Sequence, residues 1–149
     1  MADPLYFEDL TPGRRFTSGT RTLDAAAIKS FARDYDPQPF HLDEAAAAAT
    51  FFGGLVASGW HTAVVTMRLI VDGDFRPAGG VIGAGIDEFR WPKPVKPGDT
   101  LRVESEVLEA RPSKSRPEIG IVRVRHTTFN QRAEPVQDFI ANHVVQRRR

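Results

Sequence analysis

Apolar residues follow a helical spacing in the first half of this chain and lose it after Phe75, and this change constrains the fold more than any other feature. In the first half, the spacing predicts helices from Asp24 to about Asp36, over 42–50, and from Ser58 to Asp72. In the second half, strands are predicted over 81–86, 88–91, 100–108, 118–130 and 136–145. Helices followed by a run of antiparallel strands predict an α+β domain, with helix packed on one face of a sheet.

Burial is predicted from the same spacing. Residues 100–108 alternate between apolar and charged side chains, which is typical of a half-buried strand, and residues 15–22 are a further strand candidate. One apolar face of the third helix is predicted to lie in the core, and it consists of Ala63, Val64, Met67, Ile70 and Val71. The chain contains no linker or repeat, so a single domain is predicted over residues 1–149.

Charge and composition exclude several classes of function. The formal charge is +1, whereas a nucleic-acid-binding domain usually has a strong basic excess, and the basic residues at 146–149 are predicted to be a frayed, solvated end. The chain has no cysteine, which excludes disulfides, thiol catalysis and cysteine-ligated zinc. No apolar run approaches the roughly 20 residues that cross a membrane, and residues 1–4 do not resemble a signal peptide. These features predict a cytoplasmic protein with no nucleic-acid or membrane partner.

The segment from Asp36 to His41 is the strongest candidate for chemistry. Pro37 and Pro39 restrict the backbone between a carboxylate and an imidazole, and predict a rigid extended loop between two helices. Such a loop can hold the two groups at a set separation with room for a water molecule. An oriented Asp/His pair is a common device for general acid–base catalysis.

A second candidate lies at the start of the third helix, where Gly59 follows Ser58. Glycine at this position allows a ligand to approach the backbone closely. The N–H groups of the first helical turn have no partner inside the helix, so they can stabilise an oxyanion such as the enolate oxygen of a thioester.

These segments resemble a known family. Residues 36–41, Asp-Pro-Gln-Pro-Phe-His, resemble the Asp-x-Asn-Pro-x-His motif of MaoC-like dehydratases and (R)-specific enoyl-CoA hydratases, with identical spacing. The Phe52–Trp60 stretch is similar to the family's approach to its long central helix, and residues 88–101 are similar to the strand–turn–strand that follows that helix. Gln38 stands where the family usually has Asn.

The resemblance implies a hot-dog fold, in which an antiparallel sheet wraps around a long central helix, and a homodimer or higher homo-oligomer that binds an acyl-CoA thioester. It implies that Asp36 and His41 activate a water molecule, which adds to a trans-2-enoyl thioester, while the Gly59 N–H holds the thioester oxygen. It implies no metal and no cofactor. The residues expected to bind substrate are Gln38, Phe40, Val56, Ala57, Ser58 and Trp60. The acyl group stays open, with fatty acid metabolism among the possible settings.

Two other functions stay open at this point. Hot-dog proteins also include acyl-CoA thioesterases, and a chain of this fold could bind acyl-CoA without turning it over. His61, His126 and His143 are interpreted as structural or surface residues. Arg90, Lys93 and Lys96 could be either a solvated turn or contacts to CoA phosphates.

Overall fold

A computed structural model describes residues 3–149 as one sheet packed against helices. Within the described residues, a short 3-10 helix at Phe7–Asp9 precedes the regular elements. The helices are α1 (Ala25–Tyr35), α2 (Pro39–Leu42), α3 (Glu44–Ala48) and α4 (Gly59–Asp72). The strands are β1 (Arg15–Thr22), β2 (Ile82–Arg90), β3 (Thr100–Pro112), β4 (Ile119–Phe129) and β5 (Pro135–Gln146).

The sheet is antiparallel, with the strand order β1-β3-β4-β5-β2. β1 and β2 are the two edge strands of the sheet, and helices α1 to α4 lie between them in the sequence. The alternation predicted for residues 100–108 is confirmed, because Leu101, Val103, Ser105 and Val107 are all buried. The segments predicted over 81–86 and 88–91 form the single strand β2, with an irregular register between Asp87 and Arg90.

The buried face of α4 differs from the predicted one. Val64, Met67 and Val71 are exposed in the single chain, and their assignment to the core was wrong. Ile70 of the predicted face is buried as expected, and the rest of the buried side consists of His61, Thr62, Val65, Thr66 and Leu69. The reason is that Thr66 has a polar partner there: its hydroxyl is 2.6 Å from the hydroxyl of Thr128 on β4. Spacing alone does not reveal such a partner.

The short helices after α1 also differ from expectation. The helix predicted over 42–50 is divided into α2 and α3, which are separated at Asp43. Pro39 does not continue an extended loop, because it occupies the first turn of α2, where a missing N–H costs nothing. Asp43 caps α3 by accepting a hydrogen bond from the Ala46 N–H at 2.8 Å.

The C-terminal arginines are not frayed, so that prediction was wrong. Arg147 donates to Glu8 at 2.9 Å and Arg148 donates to Asp9 at 2.9 Å, and both guanidinium groups lie over aromatic rings of the N-terminal segment. The acidic 3-10 helix thus supplies charge partners that are distant in sequence. Of the residues assessed for a signal peptide, 1 and 2 lie outside the described residues.

The three histidines outside the Asp36–His41 segment are buried, in agreement with a structural role. His61 stacks on Phe31 with ring centroids 4.6 Å apart. His126 and His143 face each other inside the sheet, with their Nε2 atoms 2.9 Å apart, and the Ser105 hydroxyl is 2.7 Å from Nδ1 of His126. Both rings are almost completely buried, with His126 0% and His143 4% exposed.

Candidate active site

His41 is held in one tautomer by the backbone. It lies on α2, it is 5% exposed, and its Nδ1 atom is 2.6 Å from the carbonyl oxygen of Val56. A carbonyl oxygen can only accept, so Nδ1 carries a proton and donates it. In the neutral ring, the lone pair is therefore on Nε2, which points away from Val56.

Asp36 faces that lone pair. It caps the C-terminus of α1, and its Oδ2 atom lies 3.2 Å from Nε2 of His41. Burial raises the pKa of Asp36, but hydrogen bonds from the Gln38 amide and the Ser58 hydroxyl, together with the adjacent His41 ring, lower that pKa by a larger amount, so the net shift is downward. The carboxylate is consequently ionised at neutral pH, where it is ready to accept a hydrogen bond.

A cavity of about 570 Å³ opens beside this pair. Five residues singled out from the sequence line it: Asp36, His41, Ala57, Gly59 and Trp60. Lys93, considered from the sequence as a contact to CoA phosphates, also lines the cavity, and its Nζ pairs with Glu134. The remaining lining residues were not assigned a site role from sequence, and they are Phe51, Phe52, Thr62, Trp91, Pro92, Pro94 and Val95. Aromatic and proline side chains dominate, as in sites for apolar ligands.

The other four residues expected to bind substrate do not line this cavity. Gln38 donates a hydrogen bond to Oδ1 of Asp36, and Val56 supplies the carbonyl for His41. Ser58 is fully buried and caps α4 by accepting from the Trp60 N–H at 3.2 Å. Phe40 packs edge-on against His41, with centroids 4.6 Å apart. Their contacts orient the Asp/His pair and the start of α4.

Packing against Trp91 requires a glycine at position 59. A Cβ atom at this position would lie 2.6 Å from the indole ring of Trp91, closer than real Cβ contacts. The first N–H of α4 is thus next to the cavity because the helix begins with a residue that has no side chain. Trp91 could not be recognised from sequence, because it lies 32 positions further along the chain, on the segment after β2.

The comparison with known families decides the identity. Residues 9–130 match the MaoC like domain. The chain belongs to the MaoC-like dehydratase domain family.

Solved and characterised relatives agree with this. The MaoC-like dehydratase from Rhodospirillum rubrum is 55% identical and superposes with a TM-score of 0.94, covering 97% of this chain and 99% of that chain. The (R)-hydratase PhaJ1 from Pseudomonas aeruginosa is 30% identical, with a TM-score of 0.77 and coverage of 97% and 88%. The 3-hydroxybutyryl-CoA dehydratase of Methylorubrum extorquens is 32% identical over 113 residues, 75% of this chain and 69% of that protein.

The predicted α+β hot-dog fold is therefore confirmed, and hydro-lyase chemistry is the activity named among the family's relatives. Among residues 3–149, no helix is both long enough and apolar enough to cross a membrane. The extent of the single domain over 1–149 and the roles of the individual site residues stay predictions.

Proposed function

We propose that this protein is an (R)-specific enoyl-CoA hydratase, or 3-hydroxyacyl-CoA dehydratase in the reverse direction, that uses Asp36 and His41. The observation that carries the proposal is the orientation of His41. Its Nδ1–H is committed to Val56, so Nε2 and the Asp36 carboxylate are two proton acceptors 3.2 Å apart at the wall of one cavity.

A single water molecule fits the needs of these two acceptors. It donates one hydrogen to Nε2 of His41 and the other to Oδ2 of Asp36, which leaves its oxygen lone pairs directed into the cavity. During hydration, the oxygen bonds to C3 of the enoyl group as one O–H bond breaks and that proton passes to the pair. A proton returned to C2 completes the addition, so the elements of water are added and no other reactant is consumed.

The N–H of Gly59 is suited to stabilise the negative charge that develops on the thioester oxygen. As C3 is attacked, negative charge moves to the thioester oxygen, and an N–H donor there stabilises the enolate. The first N–H of α4 is at the cavity and has no partner inside the helix. Removing one donor of this type commonly costs about 3 kcal/mol of transition-state stabilisation.

We also propose that the protein is a homodimer. One stripe of α4 is apolar and exposed in the single chain, consisting of Trp60, Val64, Met67 and Val71. The edge strand β2 adds Ile82 and Ile86, which are also exposed, and its outer side has free hydrogen-bonding groups. A second copy that extends the sheet at β2 would cover both surfaces. An acyl-CoA substrate would place the enzyme in the cytoplasm.

The test is hydration of crotonyl-CoA, followed by loss of the ultraviolet absorbance of the enoyl thioester. Asp36→Asn and His41→Ala are each expected to reduce kcat/KM by at least 100-fold, in line with the usual contribution of general acid–base groups. Asp34→Asn is the matched control, since Asp34 is an exposed acid two residues away on α1. Its activity should equal that of the wild type.

The products separate this proposal from the alternatives. A hydratase gives 3-hydroxybutyryl-CoA of R configuration and no free thiol. Release of free CoA by the wild type would show a thioesterase instead. Binding of crotonyl-CoA without turnover, unaffected by His41→Ala, would show a protein that binds acyl-CoA without catalysis.

A further inference from the structure

The indole of Trp91 occupies a defined place in the cavity wall. It covers the side of Gly59 from which a side chain would project, and it packs edge-on against Trp60, with centroids 5.3 Å apart and planes at 85°. Phe89, two residues earlier at the end of β2, packs against it with ring centroids 4.8 Å apart. If Gly59 holds the thioester oxygen, this indole lies beside the first carbons of the acyl chain.

A series of hydrogen bonds through buried polar side chains fixes the indole. Gln137 on β5 is fully buried, and its Oε1 atom accepts the Nε1–H of Trp91 at 2.9 Å. Its Nε2 atom donates to the hydroxyl of Thr66 on α4 at 3.0 Å. Indole N–H can only donate, so the orientation of the Gln137 amide follows from chemistry: its oxygen faces Trp91 and its nitrogen faces Thr66.

Burying these hydrogen-bonded polar side chains costs free energy, which argues that they have a function. A buried amide loses its hydration, and each hydrogen bond returns only part of that free energy. Two apolar residues at 66 and 137 would pack equally well but would leave the Trp91 N–H without its partner. The present residues connect the wall of the cavity to the central helix, and the indole cannot turn aside without breaking a buried contact.

We propose that Trp91 limits the length of the acyl chain, so that four-carbon thioesters are preferred over eight-carbon ones, and that Gln137 is the positioning residue for Trp91. This inference rests on the function proposed above. Trp60, which the sequence singled out, packs against Trp91 in the same wall, but it is more exposed, at 61% against 43% for Trp91, and its indole N–H has no partner among the described hydrogen bonds.

The experiment compares kcat/KM for crotonyl-CoA and trans-2-octenoyl-CoA. Trp91→Ala is expected to raise the octenoyl-to-crotonyl ratio at least tenfold, because contacts with several methylene groups become available. Phe129→Leu is the control for loss of an aromatic ring: Phe129 lies on β4, outside the cavity lining and out of contact with the Trp91 ring, so the ratio should stay within twofold of the wild type. An unchanged ratio in Trp91→Ala, with crotonyl-CoA still turned over, would overturn the role of Trp91.

The role of Gln137 is tested by a double-mutant cycle. Gln137→Leu is expected to raise the same ratio about threefold to fivefold and to shift tryptophan fluorescence. In a Trp91→Phe background, which has no N–H to anchor, Gln137→Leu should have no further effect on the ratio. Equal effects of Gln137→Leu in both backgrounds would mean that it acts on the structure generally, and would overturn the positioning role.

Equilibrium binding keeps this test separate from the proposed reaction. Affinities of butyryl-CoA and octanoyl-CoA, measured by calorimetry, should show the same change of preference in Trp91→Ala whether or not the protein hydrates an enoyl thioester. Absence of turnover with a changed binding preference contradicts the hydratase alone. An unchanged binding preference contradicts the role of Trp91, and failure to bind either thioester contradicts both proposals.

Discussion

Acid should destabilise this fold through the buried pair His126 and His143. Burial lowers the pKa of both rings below the ordinary value of 6.5, and the proximity of His143 lowers the pKa of His126 further. Their Nε2 atoms are 2.9 Å apart, and the rings of Phe75 and Phe139 lie against them. Neither imidazolium would be solvated there, and two facing imidazolium ions would repel each other.

The direction in which pH changes the stability follows from the lowered pKa values. Between the ordinary histidine pKa and the lower native value, the unfolded chain binds protons that the folded chain does not, so stability is complete well above pH 6.5 and falls as the pH decreases. Each histidine then contributes a slope of about 1.4 kcal/mol per pH unit. From pH 7.5 to 4.5 this amounts to about 2–3 kcal/mol for each, and about 5 kcal/mol for His126 and His143 together. A loss of that size is a large part of the free energy of unfolding of an ordinary domain.

The assay is urea unfolding at a series of pH values, comparing the wild type with His126→Gln. The variant should be less stable at pH 7.5, but its free energy of unfolding should fall by about 3 kcal/mol less than the wild type's by pH 4.5. His61 and the carboxylates are present in both proteins, so their contributions cancel. Thr128→Val removes a buried hydrogen bond without a titratable group, and should lower stability equally at every pH. Parallel pH profiles for wild type and His126→Gln would refute the reasoning.

Three further changes have defined outcomes. Gln38→Leu removes a hydrogen bond that lowers the pKa of Asp36, so the pKa of the Asp36 carboxyl, followed by NMR titration, should rise; an unchanged carboxyl pKa would count against the contact. Gly120→Ala places a methyl group 2.1 Å from the Phe7 ring, and calorimetry should show a loss of about 1–3 kcal/mol, whereas unchanged stability would mean that Phe7 moves freely. Ile86→Asp puts a charge on the exposed edge strand, and should convert the proposed dimer to monomers in light scattering; a monomeric wild type would contradict the dimer.

Local chemistry explains what the sequence could predict. The starts of α1 and α4 were predicted at Asp24 and Ser58, because each caps its helix by accepting a hydrogen bond from a residue two or three positions later. Asp36 and His41 are five residues apart, so one turn of chain brings them together. Features that depend on a few neighbouring residues can therefore be predicted from the sequence alone.

Contacts that join distant segments explain what the sequence could not predict. The wall of the cavity at Trp91 is set by Gln137, 46 positions later, and the docking of the C-terminal Arg147 depends on Glu8, 139 positions earlier. Neither pairing leaves a local pattern. Gln38 could be read only as a departure from the family motif, whereas its contact shows that the longer amide reaches the Asp36 carboxylate itself.

The mistaken burial of α4 carries information of its own. Apolar spacing assigned Val64, Met67 and Val71 to the core, yet the helix turns threonines toward the sheet and leaves these side chains exposed. The buried side of the helix also contains Val65, Leu69 and Ile70, so the single chain gains some apolar burial, but the exposed stripe leaves apolar surface in water. The arrangement is favourable if a second copy covers the exposed stripe. The exposed apolar stripe therefore supports the homodimer proposed above.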